Sequence, residues 1–263
     1  MNPLPDVQAD KSNIEIAINR VGITNLKVPI YIKTQNKHDQ HTVAEVSCFV
    51  DLKSDKKGIN MSRIPIAINH FLDDTLSGDN IYNIAKYIME KSEAEECQLI
   101  YKFPYFIRKE SPVEKKPGLV YYDVEFNGVI DKYNNWDFTF SVTAICTTLC
   151  PCSKEISYSN AHNQKCYIKI TIKPSSWVWI EDIIKIAEDS SSCEIYSVLK
   201  RADEKYVTEK MYENPRFVED VVRYGYQKLN KLTNIRSFII EATADESIHM
   251  HNAYAKLEVK EMK

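Results

Sequence analysis

The strongest constraint on the fold of this chain is a strict alternation of apolar and polar residues in CYIKITIK, residues 166–173. Ile168, Ile170 and Ile172 occupy alternate positions there, and lysine or threonine residues lie between them. Because successive side chains of a β-strand point to opposite faces of a sheet, this pattern predicts a strand with one buried face and one solvated face. Strands of this kind are typical of antiparallel sheets that are covered on one side only.

Strands and helices follow one another in the same order in both halves of the chain. Runs rich in isoleucine and valine, or with partial alternation, predict strands at 14–32, 41–52, 97–110, 118–131, 136–146, 166–173, 234–246 and 253–261. Apolar residues at helical spacing predict helices at 80–94, 179–190 and 215–231. Asp79 is the predicted N-cap of the first helix, and Asn214 followed by Pro215 is the predicted start of the last.

A segment rich in proline and charge, SPVEKKPG at residues 111–118, is the predicted linker. It separates a predicted N-terminal module, residues 13–115, from a predicted C-terminal module, residues 116–263, and residues 1–12 form a predicted flexible tail. The expected fold class is therefore α+β, with two similar modules whose helices cover one face of an antiparallel sheet. The open edges of such sheets are commonly covered by neighbouring subunits.

Composition excludes several classes of function. The chain has 34 lysine and arginine residues against 37 aspartate and glutamate residues, and its net charge of -3 lacks the basic excess typical of nucleic-acid-binding proteins. No segment reaches the roughly 18 apolar residues of a membrane span, and no signal peptide is visible, so we expect a cytoplasmic protein without a membrane partner. In that reducing compartment the seven cysteines are expected to be free thiols.

Four of the seven cysteines and one of the six histidines lie in CTTLCPCSKEISYSNAHNQKC, residues 146–166. One residue separates Cys150 from Cys152, and His162 follows ten positions after Cys152, which is unlike the paired ligands of a structural zinc finger. A catalytic metal site instead collects its ligands from distant segments. The spacing leaves two interpretations open, a metal site at Cys150 and His162 or a polar loop. Cysteines in apolar runs are expected to be core residues, and these are Cys48, Cys97, Cys146, Cys166 and Cys193.

Two distant segments offer further metal ligands. His249 and His251 in DESIHMH are two residues apart, which in a strand would place both imidazoles on the same face. The segment LKRADEK offers the carboxylates of Asp203 and Glu204. Convergence of these segments with the cysteine-rich segment would complete a metal site, although spacing alone does not establish that convergence.

Longer motifs in the same segments carry a family resemblance. These are CPCSKEIS, AHNQ, CEIYSVLKRADEKYVTEKMYENPRFVEDVVR and ESIHMHNAYA. Together they closely resemble the type IB GTP cyclohydrolases, metal-flexible enzymes at the entry to folate synthesis, and the resemblance covers most of the chain. It implies a bimodular tunnelling fold assembled as a homotetramer around a central barrel. It also implies a reaction in which GTP and water give 7,8-dihydroneopterin triphosphate and formate.

The resemblance implies site residues through the matching motifs. The Cys-Pro-Cys, Ala-His-Asn-Gln, Asp-Glu-Lys and Ser-Ile-His motifs supply the implied metal ligands Cys150, His162, Glu204 and His249. The glutamate of Phe-Val-Glu-Asp, Glu219, is implied to bind the guanine ring. Thiolate, imidazole and carboxylate do not restrict the site to one element, so the expected cofactor is a divalent metal, either zinc, manganese or iron.

Catalysis also requires proton transfer and binding of the triphosphate. Cys150 and His162 are assigned to catalysis through the metal, which makes hydroxide available at neutral pH for attack at C8 of the purine. His251, or alternatively Cys152, is the expected proton carrier. The triphosphate requires local cations because the net charge is negative. The candidates, of which we expect two to serve, are Lys154, Lys200, Arg201 and Arg63.

The chain departs from the family pattern at three positions. Asn60 replaces an expected histidine, Ala202 an expected proline and Asn160 a common glycine, and none of these is an implied metal or guanine residue. Two alternatives to a GTP cyclohydrolase remain, a non-catalytic metal-binding scaffold and another purine-processing enzyme of the same fold. The nitrile reductase of queuosine synthesis is disfavoured because its Glu-Ser-Lys-Ser motif is not found in this sequence.

Overall fold

The computed structural model describes residues 8, 10–36 and 38–262, so most of the predicted tail, residues 1–7 and 9, lies outside the described residues. The strands are β1 Ile18–Ile32, β2 Gln40–Leu52, β3 Glu96–Glu110, β4 Pro117–Asp131, β5 Trp136–Leu149, β6 Asn163–Pro174, β7 Cys193–Glu194, β8 Ile235–Ala244 and β9 Ala253–Val259. The helices are α1 Arg63–His70, α2 Gly78–Ser92, α3 Pro151–Ile156, α4 Ile180–Ser190, α5 Arg201–Glu213 and α6 Val218–Leu229. None of these helices combines the length and the apolar character needed to cross a membrane.

The strands form a large antiparallel sheet in which neighbours in sequence are mostly neighbours in space. Among the described residues the order of pairing is β1-β2-β3-β4-β5-β6-β8-β9, and β7 pairs with β5. The pairing of β5 with β6 runs without a register shift from Phe140↔Ile172 to Leu149↔Asn163. The α+β class and the antiparallel sheet are therefore confirmed.

The chain divides into two compact units. Unit 1 comprises Met1–Phe103 with Glu125–Thr139 and contains α1 and α2. Unit 2 comprises Pro104–Val124 with Phe140–Lys263 and contains α3 to α6. Strands β3, β4 and β5 contribute residues to both units, and the predicted module boundary at residue 115 stays a prediction.

The first predicted helix is present in unit 1 as α2, but it begins earlier than the sequence indicated. Its buried side includes the predicted residues Ile81, Ile84, Ala85 and Ile88.

The N-cap of α2 is Ser77, so the assignment of Asp79 was wrong. Ser77 has an extended backbone, and its hydroxyl accepts a hydrogen bond from the N–H of Asn80 at 3.1 Å. Asp79 lies inside the first turn, where a negative side chain is favourable next to the helix dipole. Both residue types are common at helix starts, and the backbone conformation decides between them.

The core of unit 2 confirms the alternation in CYIKITIK. Ile168, Ile170 and Ile172 of β6 are at most 1% exposed, and they pair with apolar residues of β8 on the same face. Helix α6 contacts β8 closely at Gly225, where an added Cβ would lie 2.1 Å from Cδ1 of Ile240. A glycine at this position therefore lets the helix approach the sheet, which sets the position of its N-terminal turn.

Helix α5 was not predicted, and the start of α6 was misplaced as a result. Asn214 ends α5, because its N–H and its side-chain Nδ2 both donate to the carbonyl of Lys210, at 3.1 and 2.8 Å. Helix α6 begins at Val218, after the N-cap Phe217. Helical spacing did not reveal α5, because its buried side contains only two apolar residues, Val207 and Met211.

The predicted linker is an anchored loop between β3 and β4. Asp203 of α5 is fully buried, and its Oδ1 accepts hydrogen bonds from the N–H groups of Val113 and Glu114 at 2.8 and 2.9 Å. Burial alone would raise the pKa of Asp203, but the N–H groups of Glu114, Lys200 and Val113 outweigh it and lower the pKa to about 2. Proline and charge are typical of tight loops as well as of linkers, so composition did not distinguish the two.

An ion pair connects α5 to β7. Glu194 accepts hydrogen bonds from Nζ of Lys210 at 2.5 Å and from the hydroxyl of Tyr196 at 2.6 Å. Burial would raise the pKa of Glu194, but these two hydrogen bonds outweigh it and lower the pKa to about 2. The pair therefore stabilises the packing of the helix that carries Glu204.

We expect Glu194→Gln to lower the free energy of unfolding by about 2 kcal/mol at pH 7, because hydrogen bonds to a charged group are worth about 1.5–3 kcal/mol. The pKa of Glu194 is lowered on folding, so its contribution is present above the ordinary value of 4.5 and is lost as the pH falls towards 2. Urea denaturation should show a smaller difference between parent and variant at pH 3 than at pH 7. The control Glu209→Gln removes an exposed pair with Lys205 and should change the free energy by less than about 1 kcal/mol. Equal losses at the two pH values would contradict the assigned cause.

Candidate active site

One pocket in unit 2 brings together residues from separate segments of the chain. Its volume is about 310 Å³, at the lower end of the range typical of ligand pockets. Its walls come from the end of β5, the start of β6, the first turn of α6 with the residues before it, and the β8–β9 region. The predicted site residues among its lining are Cys150, His162, Glu219, His249 and His251.

Cys150 and His162 are brought together by the connection from β5 to β6. The N–H of Cys150 donates to the carbonyl of His162 at 3.1 Å, which extends the strand pairing by one step. The sulfur of Cys150 is the N-cap acceptor of α3, 3.4 Å from the N–H of Ser153. The hydroxyl of Ser153 in turn accepts from the N–H of His162 at 3.2 Å. The short helix between the strands therefore closes into a compact loop with both side chains at the pocket.

A hydrogen-bond network lies beside the imidazole of His162. Nδ1 of His162 is 3.0 Å from Oε1 of Gln164, and Nε2 of Gln164 donates to the hydroxyl of Thr148 at 3.1 Å. Glu246 completes the group, with Oε1 3.5 Å from Nε2 of Gln164 and Oε2 3.9 Å from Nδ1 of His162. The side chains of His162 and Glu246 are only 16% and 13% exposed, so these contacts are shielded from bulk water.

His249 and His251 lie in the bend between β8 and β9, outside both predicted strands. Their rings nevertheless stack, with centroids 5.0 Å apart and planes inclined by 14°. Nδ2 of Asn252 donates to Oδ1 of Asp245 at 2.9 Å across the ends of this bend. The bend therefore places the two imidazoles side by side at the pocket without a strand.

Glu219 lies in the first turn of α6, where the helix dipole favours a negative charge. Within the described residues its carboxylate makes no hydrogen bond or ion pair, whereas the neighbouring Asp220 accepts from the N–H of Phe217 at 3.1 Å. Arg216 lies in the same wall, and its guanidinium lies over the ring of Tyr224, 4.2 Å from the ring centroid. Burial lowers the pKa of Arg216. The free carboxylate of Glu219 is thus available to a ligand.

The described residues contain no group of three or more His, Cys, Asp or Glu side chains that is close enough to hold a metal ion. Cys150, His162 and His249 line one pocket, but Glu204 is exposed on α5 and does not belong to that lining. Thiolate and imidazole are the donors that zinc and similar metals prefer. The donor chemistry of the pocket therefore fits a transition metal, and the complete ligand set stays a prediction.

The four predicted phosphate-binding cations lie outside the lining of this pocket. Lys154 donates to the carbonyl of Tyr212 at the end of α5 and lies over the ring of that residue. Lys200 and Arg201 are exposed at the start of α5, and Arg63 begins α1 in unit 1. Their role in phosphate binding stays a prediction.

Eight residues of the pocket were not predicted as site residues, namely Thr148, Gln164, Arg216, Phe217, Val218, Glu246, Ala253 and Tyr254. Gln164 could have been predicted from the sequence. It follows His162 by two positions at the start of a strand, and side chains two positions apart in a strand lie on the same face. The correct start of α6 would have placed Arg216 and Phe217 next to Glu219. Glu246 and Tyr254 give no comparable signal, since their positions at the pocket depend on how β8 pairs with β6 and β9.

The fold is similar to that of urate oxidases, which are tunnelling-fold proteins. Urate oxidase from Bacillus subtilis 168 aligns with a TM-score of 0.53 at 9% identity, covering 91% of this chain and 98% of that one. A thermostable mutant of urate oxidase from Bacillus sp. TB-90 gives a TM-score of 0.53 at 11% identity, covering 92% of this chain and 98% of that one. At such identities the likeness concerns the fold alone.

Sequence comparison identifies the family within this class. The family model described as Type I GTP cyclohydrolase folE2 matches residues 4–255. GTP cyclohydrolase FolE2 of Nitrosomonas eutropha is 40% identical over 97% of this chain and 96% of its own length. The enzyme of the same name from an Azoarcus species is 41% identical over 97% of this chain and 94% of its own length. The chain therefore belongs to the FolE2 family of type IB GTP cyclohydrolases, which confirms the resemblance seen in the sequence.

We expect the cysteines of the native protein to differ sharply in reactivity. Cys152 is exposed and Cys150 is partly exposed, whereas the other five are buried. Burial, for example, raises the pKa of Cys166 to about 12, which suppresses the reactive thiolate. Iodoacetamide labelling followed by peptide mass spectrometry should modify Cys152 first and Cys150 second, and the others only in denaturant. Rapid native labelling of Cys166 would contradict the assignment of that residue to the core.

Proposed function

We propose that this protein is a metal-dependent GTP cyclohydrolase I. It converts GTP and water into 7,8-dihydroneopterin triphosphate and formate, the first step of tetrahydrofolate and pteridine biosynthesis. The observation that carries this proposal is that Cys150, His162, His249 and Glu219 line one pocket in a chain of the FolE2 family. These side chains supply the two kinds of contact that the reaction needs, donors for a metal and an acceptor for guanine.

The proposed metal ligands are Cys150, His162 and His249, with Glu204 from α5 as the fourth. Zinc, manganese and iron are all compatible with thiolate, imidazole and carboxylate donors. When bound, a divalent metal acidifies water, which makes hydroxide available at neutral pH for hydrolysis at C8 of the purine. Ser153 helps to place both residues, since its N–H donates to the sulfur of Cys150 and its hydroxyl accepts from the backbone N–H of His162.

Glu219 is the proposed guanine-binding residue. A carboxylate can accept hydrogen bonds from both N1–H and the 2-amino group of guanine, and adenine lacks this pair of donors. Two features of the first turn of α6 support the role, since Glu219 lies at the end of the helix where a negative side chain is favourable, and the neighbouring Asp220 already serves the helix start.

Proton transfer during ring opening is proposed for His251. Imidazole both donates and accepts protons near neutral pH, and the ring of His251 stacks on that of His249 at the pocket.

Binding of the triphosphate is proposed for two of the four cations already named. Assembly into a homotetramer around a barrel and location in the cytoplasm complete the proposal.

Removal and return of the metal tests the reaction. We expect chelator-treated protein to be inactive and to regain turnover with zinc, manganese or iron added separately, measured as formate and as the fluorescent oxidised pterin. Cys150→Ala should fold normally and lose more than about a hundredfold in turnover, since even outer-shell residues of metal sites contribute 10–100-fold.

The control for this test is Cys48→Ala, which removes a buried thiol of unit 1 and should keep its turnover. If Cys150→Ala instead unfolds together with the loss of metal, a non-catalytic scaffold would be favoured. A metal-loaded protein that is inert towards GTP would exclude the proposed reaction.

Substrate selectivity tests Glu219 separately. We expect Glu219→Gln to reduce kcat/KM for GTP by roughly a hundredfold or more, because a lost contact to a buried polar group of the substrate is costly. Inosine triphosphate, which lacks the 2-amino group, should be a poor substrate of the parent and should lose less on this substitution. Equal losses for the two nucleotides would contradict recognition of the 2-amino group by Glu219.

A further inference from the structure

Gln164 is a buried amide with a specific neighbour at each end. It is 9% exposed and pairs directly across the strands with Thr148, which is 1% exposed. Oε1 of Gln164 lies 3.0 Å from Nδ1 of His162, and Nε2 donates to the hydroxyl of Thr148 at 3.1 Å. Both distances are typical of hydrogen bonds, so the amide connects the wall of the sheet to the imidazole.

The surroundings determine which end of the amide faces His162. A hydroxyl both donates and accepts, so Thr148 alone is compatible with either orientation. The carboxylate of Glu246 accepts only, and its Oε1 lies 3.5 Å from Nε2 of Gln164. The reverse orientation would bring the amide oxygen towards this carboxylate, so the NH₂ group faces Glu246 and Oε1 faces His162.

This orientation selects one tautomer of His162. An amide oxygen only accepts, so a hydrogen bond to it requires the proton on Nδ1 of the imidazole. Nε2 then keeps the lone pair with which an imidazole binds a metal. Glu246 is 3.9 Å from Nδ1, beyond hydrogen-bonding distance, so Gln164 is the direct partner.

We propose that Gln164 is a positioning residue that holds His162 in the Nδ1–H tautomer and leaves Nε2 available to the metal. This inference rests on the proposed function, because it assumes that His162 is a metal ligand. It adds a residue that acts through the side chain of His162 and is not itself proposed as a metal ligand.

The tautomer is measurable without any metal. Two-bond ¹H–¹⁵N correlation spectra of metal-free, histidine-labelled protein should show a pyrrole-type Nδ1 and a pyridine-type Nε2 for His162, assigned by the loss of that signal in His162→Ala. In Gln164→Leu, which is close in size but has no acceptor, the Nδ1–H pattern should disappear. An unchanged pattern in this variant would overturn the proposal.

Zinc affinity provides a second readout, measured by competition with a chromogenic chelator. Gln164→Leu should weaken binding by roughly 10–100-fold, the usual effect of removing an outer-shell partner. Gln164→Glu keeps an oxygen opposite Nδ1 and should retain more of the affinity than the leucine variant. Gln98→Leu is the matched control, because Gln98 is also buried, at 7% exposure, and its amide donates to Asn127 within unit 1. The Gln98→Leu protein should therefore bind zinc as tightly as the parent.

The outcomes separate this inference from the proposed function. If His162→Ala binds zinc as tightly as the parent, His162 is not a ligand and the proposed metal site fails. If His162→Ala loses zinc but Gln164→Leu keeps both its zinc affinity and a native melting curve, only the positioning role fails. Should Gln164→Leu fail to fold, Gln164→Glu decides, because loss of the Nδ1–H pattern in a folded glutamate variant would contradict the role.

Discussion

The pairing of β5 with β6 is the interaction on which the pocket depends. Its register sets Thr148 opposite Gln164, and the backbone bond from Cys150 to His162 closes the end of the same ladder. A slip of one residue would turn every side chain of β6 to the opposite face, which would separate the amide of Gln164 from the hydroxyl of Thr148. The buried isoleucines of β6 resist such a slip, so the packing of the core and the geometry of the pocket have one common cause.

The sequence predicted the fold best where one pattern dominated. Alternation located β6, and helical spacing of isoleucines located α2. Helix α5 was missed because Asp203, Val207 and Met211 make its buried side, and a buried carboxylate looks like a solvated charge in a sequence. The extent of the paired strands and the anchored loop after β3 depend on contacts between distant residues, which local patterns do not contain.

The site was predicted in part, and mainly through motifs. Spacing alone left Cys150 and His162 open between a metal site and a polar loop, and the family resemblance supplied the choice. The pocket includes both residues together with His249, yet Glu204 and the candidate phosphate-binding cations lie outside its lining. Glu246 was not predicted because it comes beside Gln164 through the pairing of β8 with β6, and the register of that pairing is not contained in a local sequence pattern.

The contacts of Asp203 bear on how this family can vary in sequence. Its carboxylate accepts hydrogen bonds from the backbone N–H groups of Val113, Glu114 and Lys200, and backbone groups are present whatever the side chain. Positions 113, 114 and 200 can therefore change their side chains over evolutionary time, with proline as the exception, while α5 keeps its place. Natural selection is thus expected to act on the aspartate, and drift to act on the three residues whose N–H groups it accepts.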